Sequence, residues 1–281
     1  MRIKFDDLLR IIHGGVWIVK RSKIIKIALI GFLLFGIFSI GRVDCGAENK
    51  AKIIWQKPFQ ENSTTIIPGS LRTGSGLLEI RWIIPAKGIA RLITMESSGS
   101  AELPPREKRL LLWVGKSNST VLFQKQFPLA NIKEPVMIRP VVAVSTKDLF
   151  SVLPKTKLPP VAKPDKTPKT ITWESLHTKG DTLYLPGSLQ ASFGRLNIYW
   201  RKKGTGIPEL ITLESRGSGE LSSREVSLYI WKDEKQGFST LFQERYPLLN
   251  QGLTSYLWPL AVVRTDELMD GFQKTEDDDW H

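Results

Sequence analysis

The body of this chain is written twice, and that repetition constrains its fold more than any other feature. Trp55 and Trp173 stand 118 residues apart, as do Pro68-Gly69-Ser70-Leu71 and Pro186-Gly187-Ser188-Leu189. Leu92-Ile93-Thr94 with Glu96-Ser97 returns at the same interval as Leu210-Ile211-Thr212 with Glu214-Ser215. From Trp55 to Trp113 the copies align without a gap, and 25 of 59 positions are identical. After one inserted residue the register continues at 119, pairing Leu122-Phe123-Gln124 with Leu241-Phe242-Gln243 and Pro128-Leu129 with Pro247-Leu248. Fidelity of this kind over such a period specifies tandem domains of one fold, placed here at 48–150 and 170–268.

Each copy reads as strands. Leu78-Glu79-Ile80-Arg81-Trp82 and Leu196-Asn197-Ile198-Tyr199-Trp200 alternate apolar and other residues at period two, as do Val136–Arg139 and Ser255–Trp258. Turn signals interrupt them at Pro68-Gly69, Gly74-Ser75-Gly76, Ser98-Gly99-Ser100 and Gly217-Ser218-Gly219. About seven short strands per ~100 residues, without an amphipathic helix, predict an all-β chain of two antiparallel β-sandwiches. Their topology is expected to be immunoglobulin-like, with a jelly roll as the alternative. Trp55, Trp82, Trp173 and Trp200 are expected in the cores.

Outside the copies the chain changes character. Residues 154–169 hold five prolines and five lysines against one aspartate. Such a segment builds no core, so 151–169 reads as a stiff extended linker, on the order of 50 Å if wholly polyproline II. The stretch 269–281 reads as an acidic tail. At the other end, Ile27–Ile40 is an uncharged apolar run of 14 residues preceded by Lys20, Arg21, Lys23 and Lys26. Basic flank first and apolar run second keeps residues 1–23 in the cytoplasm and sends the body across the membrane. With Ile24 and Ile25 included, 24–41 is expected as an anchor in the inner membrane. Alternatively it is a signal-peptide core, cleaved near Ala47 to leave a periplasmic or secreted protein.

Composition narrows the chemistry. One cysteine, Cys45, rules out an intrachain disulfide framework, a cysteine zinc site and a CxxC redox pair. Three histidines (His13, His177 and His281) leave a single one, His177, inside a repeat, and its counterpart in the first copy is Phe59. A serine nucleophile would lack its base and orienting acid. There is no calcium-loop pattern, and the glycine-containing turns lack the lysine and strand-to-helix context of a phosphate loop. No metal or cofactor is expected. Glu96, Glu102 and Glu107 recur as Glu214, Glu220 and Glu225, and Arg106 as Arg224. A hydrolase built on repeated carboxylates is therefore a third reading, but duplicated salt bridges, such as Arg106 with Glu96 or Glu102, explain them better. Net charge is +12, yet neither copy concentrates it on a dense basic face with stacked aromatics. An exported body also argues against nucleic acid.

The aromatic pattern supplies the candidate site. In Leu110-Leu111-Leu112-Trp113-Val114, the residues Leu110 and Leu112 share one face while Leu111 and Trp113 share the other. The second copy reads Leu228-Tyr229-Ile230-Trp231-Lys232, placing Tyr229 and Trp231 opposite Leu228 and Ile230. A sandwich strand has one core face, so rings on the other require something to cover them. Trp113, Tyr229 and Trp231 are the candidate partner-binding residues, with a loop or the neighbouring domain as the competing cover. The chain is expected to be a non-enzymatic envelope protein that binds or scaffolds protein partners; the alternative is a carbohydrate-binding protein of the cell surface.

Overall fold

Trp82 and Trp200 are the largest side chains fully withdrawn from solvent, and each marks the centre of one repeat. The computed structural model describes residues 50–96, 106–129, 132–153, 158–214, 223–247 and 254–277. The expected membrane segment 24–41 lies outside these residues. Among the described residues no helix is long and apolar enough to cross a membrane.

Repeat 1 contains β1 (Ile53–Trp55), β2 (Phe59–Glu61), β3 (Thr64–Thr73), β4 (Gly76–Pro85), β5 (Arg91–Glu96), β6 (Arg106–Gly115), β7 (Ser119–Gln126) and β8 (Met137–Ser145), followed by the short helix α1 (Thr146–Phe150). Repeat 2 contains β9 (Thr172–Trp173), β10 (His177–Lys179), β11 (Thr182–Ala191), β12 (Gly194–Lys203), β13 (Glu209–Glu214), β14 (Arg224–Asp233), β15 (Phe238–Arg245) and β16 (Tyr256–Arg264), followed by α2 (Thr265–Glu276). Each repeat is one antiparallel sheet of eight strands. Its order is sequential, with two short leading strands both laid on the third. An immunoglobulin sandwich would require Greek-key crossovers; here every long strand pairs with its neighbour in the chain. The tandem, antiparallel reading stands; the chain is mostly β, with a helix closing each repeat where none was expected, and the meander takes the place of the expected crossovers.

The sheet curls because its two ends are tied by the same short segment. Leading strand β1 pairs with β3, while Ala51 just before it forms a parallel bridge to Val144 of β8, its N–H donating to Ala143 O at 3.1 Å. Repeat 2 repeats the device: Lys169 bridges Val263, and β9 lies on β11. A proline interrupts the last strand of each repeat, and the ladder slips by one residue there, at Leu122/Phe123 opposite Pro140 and at Leu241/Phe242 opposite Pro259. Proline cannot donate to a ladder, so a bulge is where a strand tolerates it.

The duplicated motifs mark how each core is closed. Trp82 Nε1 donates to Leu149 O of α1 at 3.1 Å, and Trp200 Nε1 to Leu268 O of α2 at 3.2 Å. Trp55 and Trp173 do the same one residue earlier, to Asp148 O and Glu267 O, at 3.0 and 2.9 Å. The Pro-Gly-Ser-Leu motif exists for these rings. A Cβ on Gly69 would lie 2.5 Å from Trp55, and one on Gly187 would lie 2.4 Å from Trp173. Only glycine lets the indole lie flat on the strand.

Two segments depart from expectation. The acidic tail read from residue 269 is helical as far as Glu276, with Phe272 buried against Trp200. The proline-rich linker is partly docked: Ala162 is buried, its N–H donates to Val114 O at 3.3 Å, and its carbonyl accepts from Trp113 Nε1 at 3.1 Å.

Candidate functional site

Strand β6 carries five consecutive buried residues, Leu110 to Val114. Alternation alone cannot bury five in a row, so both faces of this strand are covered. Leu110 and Leu112 belong to the core of repeat 1, whereas Leu111 and Trp113 enter a third cluster with Val121, Phe123, Ile138, Phe242 and Leu257. Tyr229 and Trp231 pack against it. This cluster lies between the repeats, where β8 packs on β14 and β6 on β16. The three candidate partner-binding rings are thus brought together, and what covers them is the neighbouring repeat, joined over Trp113 by the linker at Ala162. Trp113 is only 8% exposed and lies 6.3 Å from Trp231, centroid to centroid. Tyr229 and Trp231 are half-buried.

A polar network borders the rings, with Glu244 and Ser255 buried and Arg109 at its exposed edge. Arg109 Nη2 contacts Glu244 Oε1 and donates to Ser255 Oγ at 2.7 Å. Ser255 Oγ donates to Glu244 Oε1 at 2.5 Å, and Tyr229 OH to Glu244 Oε2 at 3.1 Å. Burial, reinforced by the Glu244 charge, pushes the Tyr229 phenol far above its ordinary value, so it donates as a neutral hydroxyl throughout the physiological range.

Three of the repeated carboxylates, Glu96, Glu214 and Glu225, have side-chain partners. Glu96 accepts from Gln124 and pairs with Lys108; its counterpart Glu214 accepts from Gln243. The hydrogen bond from Lys108 holds the Glu96 carboxyl below the usual range, against the opposing effect of burial. The cation beside Glu96 is therefore Lys108, where Arg106 was expected. Glu225 joins Arg201 and the Tyr184 hydroxyl, the latter at 3.3 Å. Glu102 and Glu220 lie outside the described residues. His177 is exposed and stacks on Tyr184 at 5.7 Å. Among the described residues no three His, Cys, Asp or Glu side chains gather in a way that could hold a metal ion.

Sequence reasoning missed an opening in repeat 2. Strands β12 and β13 pair only from Ile198↔Thr212 to Arg201↔Glu209, and beyond Ile198 they part. A groove of about 480 Å³ occupies the split. Its inner wall is Leu196 and Leu260 of the core; Phe193, Tyr199 and Leu213 form an apolar rim; Arg195, Asn197, Glu214, Gln243 and Arg245 supply polar groups. Phe193 is 58% exposed because it forms the tip of the two-residue turn between Ala191 and Gly194. Arg245 also lies over the Trp258 ring, 4.4 Å from its centroid. In repeat 1 the positions of Phe193, Tyr199, Arg245 and Trp258 are Ser75, Arg81, Gln126 and Arg139. Comparing the copies face by face is the signal that could have found this groove. Comparison with family models, curated proteins and solved structures finds no match to this chain.

Proposed function

We propose that this chain is a non-enzymatic, exported envelope protein that binds a protein partner through the groove of repeat 2. The observation that carries the reading is the groove itself, with the exposed Phe193 ring and the half-buried Tyr199 ring over an apolar wall and arginines at its rim, on the copy whose counterpart lacks both rings. Ligand sites combine apolar lining with a few placed polar groups. Here Leu196, Leu260, Tyr199 and Phe193 would take an apolar anchor residue, and Arg195 and Arg245 an acidic neighbour on the same extended segment. Export rests on the basic cluster Lys20–Lys26 ahead of Ile27–Ile40, which favours an anchored protein with its N-terminus in the cytoplasm. A glycan remains the second reading, because Asn197, Gln243 and Glu214 lie beside the Tyr199 ring, the combination that stacks and hydrogen-bonds a sugar.

Photo-crosslinking from the full chain in its own membranes tests this. A crosslinker replacing Tyr199 should give a discrete protein adduct that Phe193→Ala abolishes, while one replacing Arg81 should not. A glycan adduct would transfer the groove to the second reading, and equal adducts from both positions would refute a groove-specific site. Reporter fusions after His281 test export: periplasmic activity is expected, and cytoplasmic activity would overturn it.

A further inference from the structure

The face that holds the repeats together has a symmetry the chain connectivity does not require. Under the 118- and 119-residue registers β6 corresponds to β14 and β8 to β16, so the β8–β14 and β6–β16 contacts are one contact made twice with the copies exchanged. The rings obey the same exchange. Trp113 to Phe242 and its mirror, Phe123 to Trp231, are both 5.7 Å; Trp113–Trp231 at 6.3 Å and Phe123–Phe242 at 5.8 Å pair each position with its own counterpart. Reciprocal contact of residue i with j and j with i is the mark of an isologous, two-fold interface.

The polar border breaks that symmetry in one specific way. Arg109 of repeat 1 meets Glu244 of repeat 2. Exchanging the copies turns this pair into Ser227 and Lys125, which line the same small cavity, while Lys125 lies over the Tyr229 ring 5.0 Å from its centroid. We propose that this face is a homodimer-type interface carried inside one chain, that it fits a second copy of the same module, and that Arg109, Lys125, Ser227 and Glu244 direct repeat 1 to repeat 2 rather than to itself. Two copies of repeat 1 would set Arg109 opposite Lys125 twice. Two copies of repeat 2 would set buried Glu244 opposite Ser227 twice, without a cation. Like charges facing one another and buried unpaired carboxylates both select against a pairing. This surface is separate from the groove, so the inference does not depend on the proposed function.

The test opens the linker and leaves the fold in place. A protease site replacing Lys155-Thr156-Lys157 in the folded body is cut, and the products are followed by native mass spectrometry and circular dichroism. The halves should remain together as one repeat 1 with one repeat 2, without homodimers. Lys125→Glu places a carboxylate opposite Arg109, so cutting this variant should release homodimers of repeat 1. Arg109→Glu should weaken the association of the cut halves at least tenfold, and Arg109→Glu with Glu244→Arg should restore it. Separation on cutting, homodimers from the unaltered chain, or no response to Lys125→Glu would each overturn the proposal. Because the exchanged double variant recovers binding only if the pair itself matters, misfolding of a single variant cannot imitate the expected result.

Discussion

Trp82 and Trp200 occupy the same place in the two repeats, each buried and each bonded to the helix behind it, whereas Ser75 and Phe193 occupy the same turn and share nothing. The contrast separates two kinds of constraint. Inside each curled sheet the tryptophans, the flat glycines and the helix carbonyls form a closed arrangement in which changing one member exposes another. Outside, at the split between β4 and β5 or between β12 and β13, the backbone is alike but the side chains diverged freely. Repeat 1 acquired Arg81 and Arg139 there, and repeat 2 acquired Tyr199 and Trp258. The shared face between the repeats falls in between: Trp113 with Trp231 and Phe123 with Phe242 are common to both copies, whereas Tyr229 and the charges are not.

The most severe test of interior equivalence is Trp82→Ala against Trp200→Ala. Each removes a fully buried indole, and a loss of about 3–5 kcal/mol is expected from both in denaturant unfolding of the body. A difference of several kcal/mol between them would break the equivalence. Trp231→Ala should cost somewhat less, about 2–3 kcal/mol, because this ring is only partly buried in the shared cluster. An unchanged midpoint would return Trp231 to the surface.

Substitutions of glycine sharpen the comparison further. Gly187→Ala and Gly69→Ala drive a methyl into a tryptophan ring and should destabilise by about 1–3 kcal/mol, whereas Gly74→Ala meets nothing within 4 Å and should be near neutral. Gly271→Ala is the informative case. Alanine normally favours a helix by about 1 kcal/mol, but here the new Cβ would lie 2.5 Å from Trp173, so a net loss is expected. Its counterpart in repeat 1 is Val152, which already carries a Cβ, so this test applies to repeat 2 alone.

The smallest effect concerns alkaline pH. Tyr229 has a raised folded value, through burial and then Glu244. Above about pH 10 the unfolded tyrosine ionises while the folded one does not, so stability falls as pH rises. Tyr229→Phe should flatten that share of the decline between pH 10 and 12, while its counterpart position in repeat 1, Leu111, has nothing to titrate. An identical pH profile for variant and parent would show that the phenol is not held neutral by the shared face.

Of the fold, the duplication, the strand content and the inner faces were legible, because period two and a 118-residue repeat are properties of adjacent letters. That Leu111, Tyr229 and Trp231 needed a cover was legible too, since a strand with apolar groups on both sides signals it locally. The cover itself was not. Phe242 and Trp113 lie 129 residues apart in the chain yet 5.7 Å apart in space, and no local pattern encodes such a meeting. The same holds for the cation of Glu96: Arg106 was expected and is its direct ladder partner, yet Lys108, paired opposite Thr94, makes the contact. The groove escaped for a related reason. Leu196, Leu213, Gln243 and Leu260 line it from four different strands, and it exists only because β12 and β13 part beyond Ile198. Sequence by itself determined what each repeat buries; tertiary structure alone decided what the repeats bury against each other and where they open, because those depend on registers between strands far apart in the chain.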